Sequence, residues 1–273
     1  MKANAPPLAP ATLARLLNDL RAALTAAARK AKAPADLHTT IKEGLRAPEK
    51  PDRARTKQVL PDADVRKLVE AALTHDADFG ALVMLLAATG ARMDQLTRCT
   101  VADFQPEARR IMVPASRKGR GDKQITHTAI PLPDDVTTRL RPLTAGRAGH
   151  EPLLTRWHHR QVAGDTVKGS LPGWERVERR AWTKPAEMAR PWRAVVKAAG
   201  LSAGFVPYCL RHSSIVRGLR AGLPVRLVAA VHDTSAAMIE KHYGAFIVDA
   251  TEDLLRRAVV PMAPAAVASI RRA

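Results

Sequence analysis

The sequence predicts a mostly helical protein with one small antiparallel sheet, an α+β fold, and three observations carry that expectation. Apolar residues recur at helical spacing along most of the 273 residues. Glycines stand where the stripes stop, at Gly90, Gly200 and Gly222. Two short runs, Arg110-Ile111-Met112-Val113 and Thr128-Ala129-Ile130-Pro131-Leu132, flank the basic turn Ser116-Arg117-Lys118-Gly119-Arg120-Gly121-Asp122-Lys123, the pattern of a hairpin.

In chain order, Pro10 to Lys30 carries Leu13, Leu16, Leu17, Leu20 and Leu24 on one side, an amphipathic helix that needs a partner. A shorter helix is expected through Leu37 to Leu45. The charged, proline-interrupted stretch Ala47 to Lys57 reads as a linker. It divides the chain into a helical segment with linker at 1–57, a larger domain at 58–260 and an Ala-rich tail at 261–273. Asp62 is the expected N-cap of a helix that turns Val65, Leu68, Val69, Ala72 and Leu73 inward. A more apolar helix runs from about Phe79 to Ala88, and Gly90 stops it. Arg92 then opens a third helix that buries Met93 and Leu96.

The stretch from Arg156 to Lys197 is rich in Arg and Trp, and a helix from about Pro185 through Trp192, Val195 and Val196 to Ala199 closes it. Ile215, Val216 and Leu219 then mark one helix, and Leu227, Val228 and Val231 a short second one that His232 closes. Tyr243, beside Gly244, is expected near the end of a third helix and free to move. A separate short helix from Asp253 to Val260 follows.

Lys+Arg number 44 against Asp+Glu 26, a formal charge of +18, and the sequence pI is about 10.8. A polyanion is the expected partner. Aromatics at 4% are too sparse for a single-strand stacking surface, so duplex DNA is the better candidate. Cys99 and Cys209 are too few for a disulfide framework and read as buried thiols in a reducing compartment. The N-terminus carries no signal-peptide pattern and no apolar run is long enough for a bilayer, so the expected place is the cytoplasm, away from membranes. Adjacent His158 and His159 point to different faces with no third ligand nearby, and no glycine-rich nucleotide loop is present. Neither metal nor cofactor is expected.

Leu210-Arg211-His212-Ser213-Ser214, then His232-Asp233-Thr234-Ser235, then Tyr243, with Thr89-Gly90-Ala91-Arg92 far upstream, resemble the signature of tyrosine recombinases, the phage integrase family. The resemblance implies that family's catalytic domain over 58–260. It implies too that the 1–57 segment is a partial DNA-clamping region, shorter than the family's and expected to be truncated. The implied activity is site-specific DNA recombination or integration, by strand cleavage and religation through a 3′-phosphotyrosyl intermediate. The implied assembly is a homotetramer on duplex DNA, and a monomer or weak oligomer when free.

Carried over residue by residue, Tyr243 is the nucleophile, Arg92 and Arg211 grip the phosphate, and His232 assists near the nucleophile. Lys118 of the hairpin is the acid, with Lys123 the alternative, and Arg117 and Arg120 touch DNA. Two positions depart from the pattern. Gln95 stands three residues after Arg92, where the family usually has an acid. Tyr208 stands three before Arg211, where it commonly has a histidine, and His212 does not automatically replace it. Tyr208 is itself an alternative nucleophile. The competing readings are a catalytically decayed integrase-like DNA-binding protein and a topoisomerase-like relaxing enzyme.

Overall fold

The computed structural model describes Leu8 and residues 10–46, 58–116, 126–163, 171 and 173–259. The linker expected from Ala47 to Lys57 and the tail at 261–273 lie outside the described residues. The chain forms two compact units, Met1–Lys57 and Gln58–Ala273. In the first, α1 (Pro10–Lys30) and α2 (Ala35–Gly44) pair as a helical hairpin. Ala14 and Ala28 are buried, while Leu13, Leu16, Leu20 and Leu24 of the apolar stripe are exposed.

The second unit is built around α3 (Asp62–His75) and α4 (Ala77–Thr89). Every α4 residue except Ala77 and Ala88 is buried, so α4 is hydrophobic all round and forms the centre of the core. Asp76 caps it by accepting from the Phe79 amide at 2.8 Å. Asp62 is not the cap of α3. Pro61 takes that place with an extended backbone, and Asp62 is the first helical residue. There its carboxylate suits the positive helix end and accepts from Arg217 Nε at 2.7 Å.

After α5 (Met93–Leu96), the strands β1 (Phe104–Gln105), β2 (Arg110–Pro114) and β3 (His127–Pro131) form an antiparallel sheet in that order. Ile111 faces Ile130 across the β2–β3 register, and both are buried. Helix α6 (Asp134–Thr144) follows, burying Val136, Thr137 and Leu140. Sequence reasoning did not anticipate it, because Pro142 and a polar majority mask its stripe.

The Arg- and Trp-rich stretch contains a second, two-stranded antiparallel ribbon, β4 (Thr155–Val162) with β5 (Gly173–Ala181), also unanticipated. Its residues are largely exposed, so the inside–outside alternation that reveals a half-buried strand is missing. The ribbon is fixed at one end. Trp182 packs on Phe79 with ring centroids 5.9 Å apart, Arg156 pairs with Glu187 at 3.1 Å, and Arg179 pairs with the buried Asp78. Burial raises the Asp78 pKa and the Arg179 charge opposes that rise. Arg160 and Arg180 are paired too, with Glu175 and Glu178.

Helix α7 (Ala189–Ala198) follows a 3-10 turn at Pro185–Met188 and buries Trp192, Val195 and Val196. Three helices complete the unit: α8 (Cys209–Arg220), α9 (Val225–Val231) and α10 (Ala236–Ala258). They share a smaller apolar cluster of Ile215, Val216, Leu219, Val228, Ala229, Ile239 and Tyr243. Cys99 and Cys209 are buried thiols, and burial pushes both pKa values up to about 12. Among the described residues no helix is long and apolar enough to cross a membrane.

Two expectations about α10 are corrected. Tyr243 does not sit near a helix end, and the segment from Asp253 is not separate, because α10 runs unbroken from Ala236 to Ala258. A single glycine in a helix interior costs only about 1 kcal/mol relative to alanine, too little to break a helix otherwise continuous on both sides. Space is open where a Gly244 Cβ would project. Gly244→Ala is therefore expected to raise unfolding stability by roughly 0.5–1 kcal/mol in urea titration. A loss of stability would show that the helix does not pass through this position as described.

Candidate active site

The turn after α4 begins the site. Gly90 ends α4 in the left-handed region, at φ +61°, and a Cβ there would lie 2.6 Å from both His232 Nε2 and Ser214 Oγ. Conformation and space both require glycine. The turn delivers Arg92 to the start of α5, where the Arg92 amide donates to Gln95 Oε1 at 3.1 Å.

The first turn of α8 delivers Arg211, which is 3% exposed. Its Nη1 donates to the Gly90 carbonyl at 2.9 Å and its Nη2 to the His232 carbonyl. Burial and then the Arg92 charge push the Arg211 pKa down, yet a guanidinium stays protonated in proteins. The Tyr208 ring lies over the guanidinium, 5.9 Å from ring centre to Cζ, and is 45% exposed.

His232 ends α9 and is buried. Its Nδ1 lies 2.8 Å from the Val228 carbonyl, which can only accept, so Nδ1 carries the hydrogen. Nε2 is then the acceptor facing Ser214 Oγ at 3.0 Å. Burial, reinforced by the Arg211 and Arg92 charges, pushes the His232 pKa down to about 4, so the ring is neutral at pH 7.

Asp233 follows with φ +46°, a left-handed conformation that aspartate tolerates better than most residues. Its carboxylate accepts from the Ser116 amide at 2.7 Å and Gln95 Nε2 at 3.3 Å, and lies 3.5 Å from Arg92 Nη1. Arg92 Nη1 also donates to the Asp233 carbonyl at 3.2 Å. Gln95 Nε2 donates to the Pro114 carbonyl at 2.8 Å as well. The departure at position 95 thus has a counterpart. The carboxylate beside Arg92 comes from Asp233, and an amide at 95 can donate to it where an acid would repel it.

Tyr243, on the second turn of α10, is 7% exposed, and its Oη lies 2.6 Å from His212 Nδ1. Burial and the neighbouring Tyr208 push its pKa up to about 12, against the opposing pull of Arg211 and Arg92. The phenol is protonated at neutral pH.

The structure therefore brings Arg92, Arg211, His232 and Tyr243 into one site with Tyr208 and His212 beside them. Lys118, Lys123, Arg117 and Arg120 lie outside the described residues; Ser116, the described residue that precedes them, is tied to Asp233. Sequence reasoning assigned no role to Asp233, Ser214 or Ser116. An aspartate directly after a helix-closing histidine, with a glutamine in place of the acid after Arg92, was the available signal for the first.

The Phage integrase family profile matches residues 58–245, well over half of the chain. The chain belongs to the phage integrase family. No curated protein matches the sequence. Solved structures of similar fold include XerA recombinase, at 18% identity and TM-score 0.52 over 96% of this chain and 87% of that one. The Tn1549 transposon integrase in complex with a circular intermediate DNA aligns at 14% identity and TM-score 0.61, over 92% and 80%. A lambda integrase dimer bound to a COC′ core site aligns at 18% and 0.51, over 87% and 83%. At these identities the likeness is one of fold, and it matches the tyrosine recombinase catalytic domain in this integrase-family protein.

The buried neutral imidazole makes stability depend on pH. A free histidine titrates near 6.5, whereas His232 titrates at about 4 in the fold. Between these values the unfolded chain binds a proton that the folded chain refuses. His232 therefore lowers stability as pH falls through that window, by up to about 1.4 kcal/mol per pH unit. Unfolding titrations of His232→Gln from pH 7 to pH 4 should show a shallower fall than the parent protein, and an equal slope would contradict the assignment.

Proposed function

We propose that this integrase-family protein carries out site-specific recombination of duplex DNA, cutting and rejoining strands through a 3′-phosphotyrosyl link to Tyr243. The observation that carries the proposal is the convergence, within one site, of two arginines, a neutral histidine and a buried tyrosine whose hydroxyl is already hydrogen-bonded. The +18 charge and the DNA-bound state of the fold neighbours support duplex DNA as the partner. The proposed working assembly is a homotetramer on DNA, in the cytoplasm.

A phosphodiester resists attack because its oxygens are negative and its leaving alkoxide is poor. Arg92 supplies a partly exposed guanidinium to one non-bridging oxygen. Arg211 supplies the N–H groups that its two carbonyl partners leave over. Ser214 and His232 stand next to the same turn as hydrogen-bonding groups. Lys118 of the hairpin is the proposed acid for the departing 5′ oxygen, with Lys123 second, and Arg117 and Arg120 hold the backbone near it. The bond energy is retained in the phosphotyrosyl ester, so religation needs no nucleotide.

On a nicked suicide substrate, Tyr243→Phe should abolish the covalent protein–DNA adduct and leave duplex binding nearly unchanged. Arg92→Ala and Arg211→Ala should each slow cleavage on the order of 10²–10³-fold, as loss of one transition-state donor does elsewhere. An adduct that survives Tyr243→Phe but disappears in Tyr208→Phe would move the nucleophile to Tyr208. No adduct from the parent protein, with duplex binding retained, would make this a decayed DNA-binding member of the family.

A further inference from the structure

We infer that His212 is a catalytic residue, the base that takes the phenolic proton of Tyr243 during cleavage and returns it during religation. This rests on the reading of Tyr243 as nucleophile. Four observations lead to it. His212 Nδ1 and Tyr243 Oη are 2.6 Å apart, within the range at which a proton passes directly. The neutral phenol has a hydrogen to dispose of before its oxygen can bond to phosphorus, because the site holds the tyrosine protonated at pH 7.

Among the described residues, the other candidate acceptors near Tyr243 in sequence or motif are engaged, turned away or weakly basic. Both ring nitrogens of His232 are occupied, by the Val228 carbonyl and Ser214. His242, although adjacent to Tyr243 in sequence, is exposed on another face of α10. Tyr208, at the place where the family commonly has a histidine, is a phenol and a poor base at neutral pH.

Tyr208 does something else. Its ring meets the His212 imidazole edge to face, with centroids 5.0 Å apart and an interplanar angle of 77°. The imidazole is thus held between two tyrosines, one packing against it and one bonded to it. Successive residues of a helix point about 100° apart, so α8 can aim Arg211 at the Gly90 turn and His212 at α10.

The step balances as follows. The Tyr243 Oη–P bond forms, the P–O5′ bond breaks, and the phenolic proton moves to Nδ1 of a His212 ring protonated on Nε2, giving an imidazolium. The departing 5′ oxygen takes its proton from the hairpin lysine. In religation the 5′ hydroxyl attacks phosphorus, its proton goes to that lysine, and the imidazolium returns its proton to the leaving tyrosine oxygen. Among the described residues, the titratable groups recorded beside this pair are Tyr208 from the turn before α8 and, around Tyr243, the Arg211 and Arg92 guanidiniums.

The test compares the full chain with His212→Asn, His212→Ala and Tyr243→Phe on nicked duplexes carrying either an ordinary or a sulfur-bridged 5′ leaving group. The Asn amide occupies the Nδ1 position and keeps a hydrogen bond to Tyr243, but it cannot take a proton. Both His212 variants should bind duplex normally and cleave on the order of 10²–10³-fold more slowly at pH 7. Their rates should climb with pH as hydroxide replaces the missing base, and the sulfur leaving group, which needs no acid, should not restore them. Parent-like cleavage by His212→Asn, or rescue of either His212 variant by the sulfur substrate, would overturn the inference while an inactive Tyr243→Phe left the nucleophile reading intact. Adduct formation by Tyr243→Phe would overturn both.

Discussion

A single buried cation organises the site. Arg211 is almost wholly removed from solvent, and an isolated guanidinium in that position would be strongly destabilising. What offsets its burial is not a carboxylate but two backbone carbonyls, those of Gly90 and His232, and each belongs to the residue that ends a helix. Carbonyls at helix C-termini lack an intrahelical partner and carry the negative end of the helix dipole. The arginine satisfies both at once and ties the end of α4 to the end of α9. Its position is therefore as rigid as the core against which those helices pack.

The rest of the site hangs on the two turns so joined. The turn after α4 runs on to Arg92 and Gln95, and the turn after α9 places Asp233 where it meets both, along with the amide at the base of the β2–β3 hairpin. Gly90 has no room for a side chain because His232 and Ser214 fill the space beside it. Four chain segments distant in sequence thus converge through backbone groups and one carboxylate. Burial, reinforced by the surrounding positive charge, keeps His232 neutral, yet that charge does not bring Tyr243 down to an ionised state, because burial outweighs it there. A nucleophile stored as its neutral phenol gains reactivity only when its proton has somewhere to go.

Much of this was legible in the residues. Long apolar stripes gave α1, α3, α4, α7 and α8 with boundaries close to those observed. In α3, α4, α7 and α8 the stripe is buried, as packing of an apolar face demands; in α1 Leu13, Leu16, Leu20 and Leu24 are exposed. The β4–β5 ribbon was illegible because its charged, exposed residues carry no alternation, and α6 because polar residues and Pro142 interrupt its stripe. The length of α10 was misjudged because Gly244 reads as punctuation, although the neighbours of a glycine decide whether a helix continues through it. The positions of Arg92, Arg211, His232 and Tyr243 were readable from motif order. The exchange between Gln95 and Asp233 was not, for it joins residues 138 apart in the chain through a hydrogen bond that no local pattern encodes.

The most direct measurement of the central claim is native-state hydrogen exchange on Arg211→Ala beside the parent protein. The amides of Gly90, His232, Asp233 and Thr234 are each hydrogen-bonded within the two turns that Arg211 joins. If the buried cation holds those turns together, all four should lose protection in the variant, while the α4 amides around Leu82 and Leu85 keep theirs. Unchanged protection at Gly90 and at His232 to Thr234 would contradict the claim that Arg211 assembles the site.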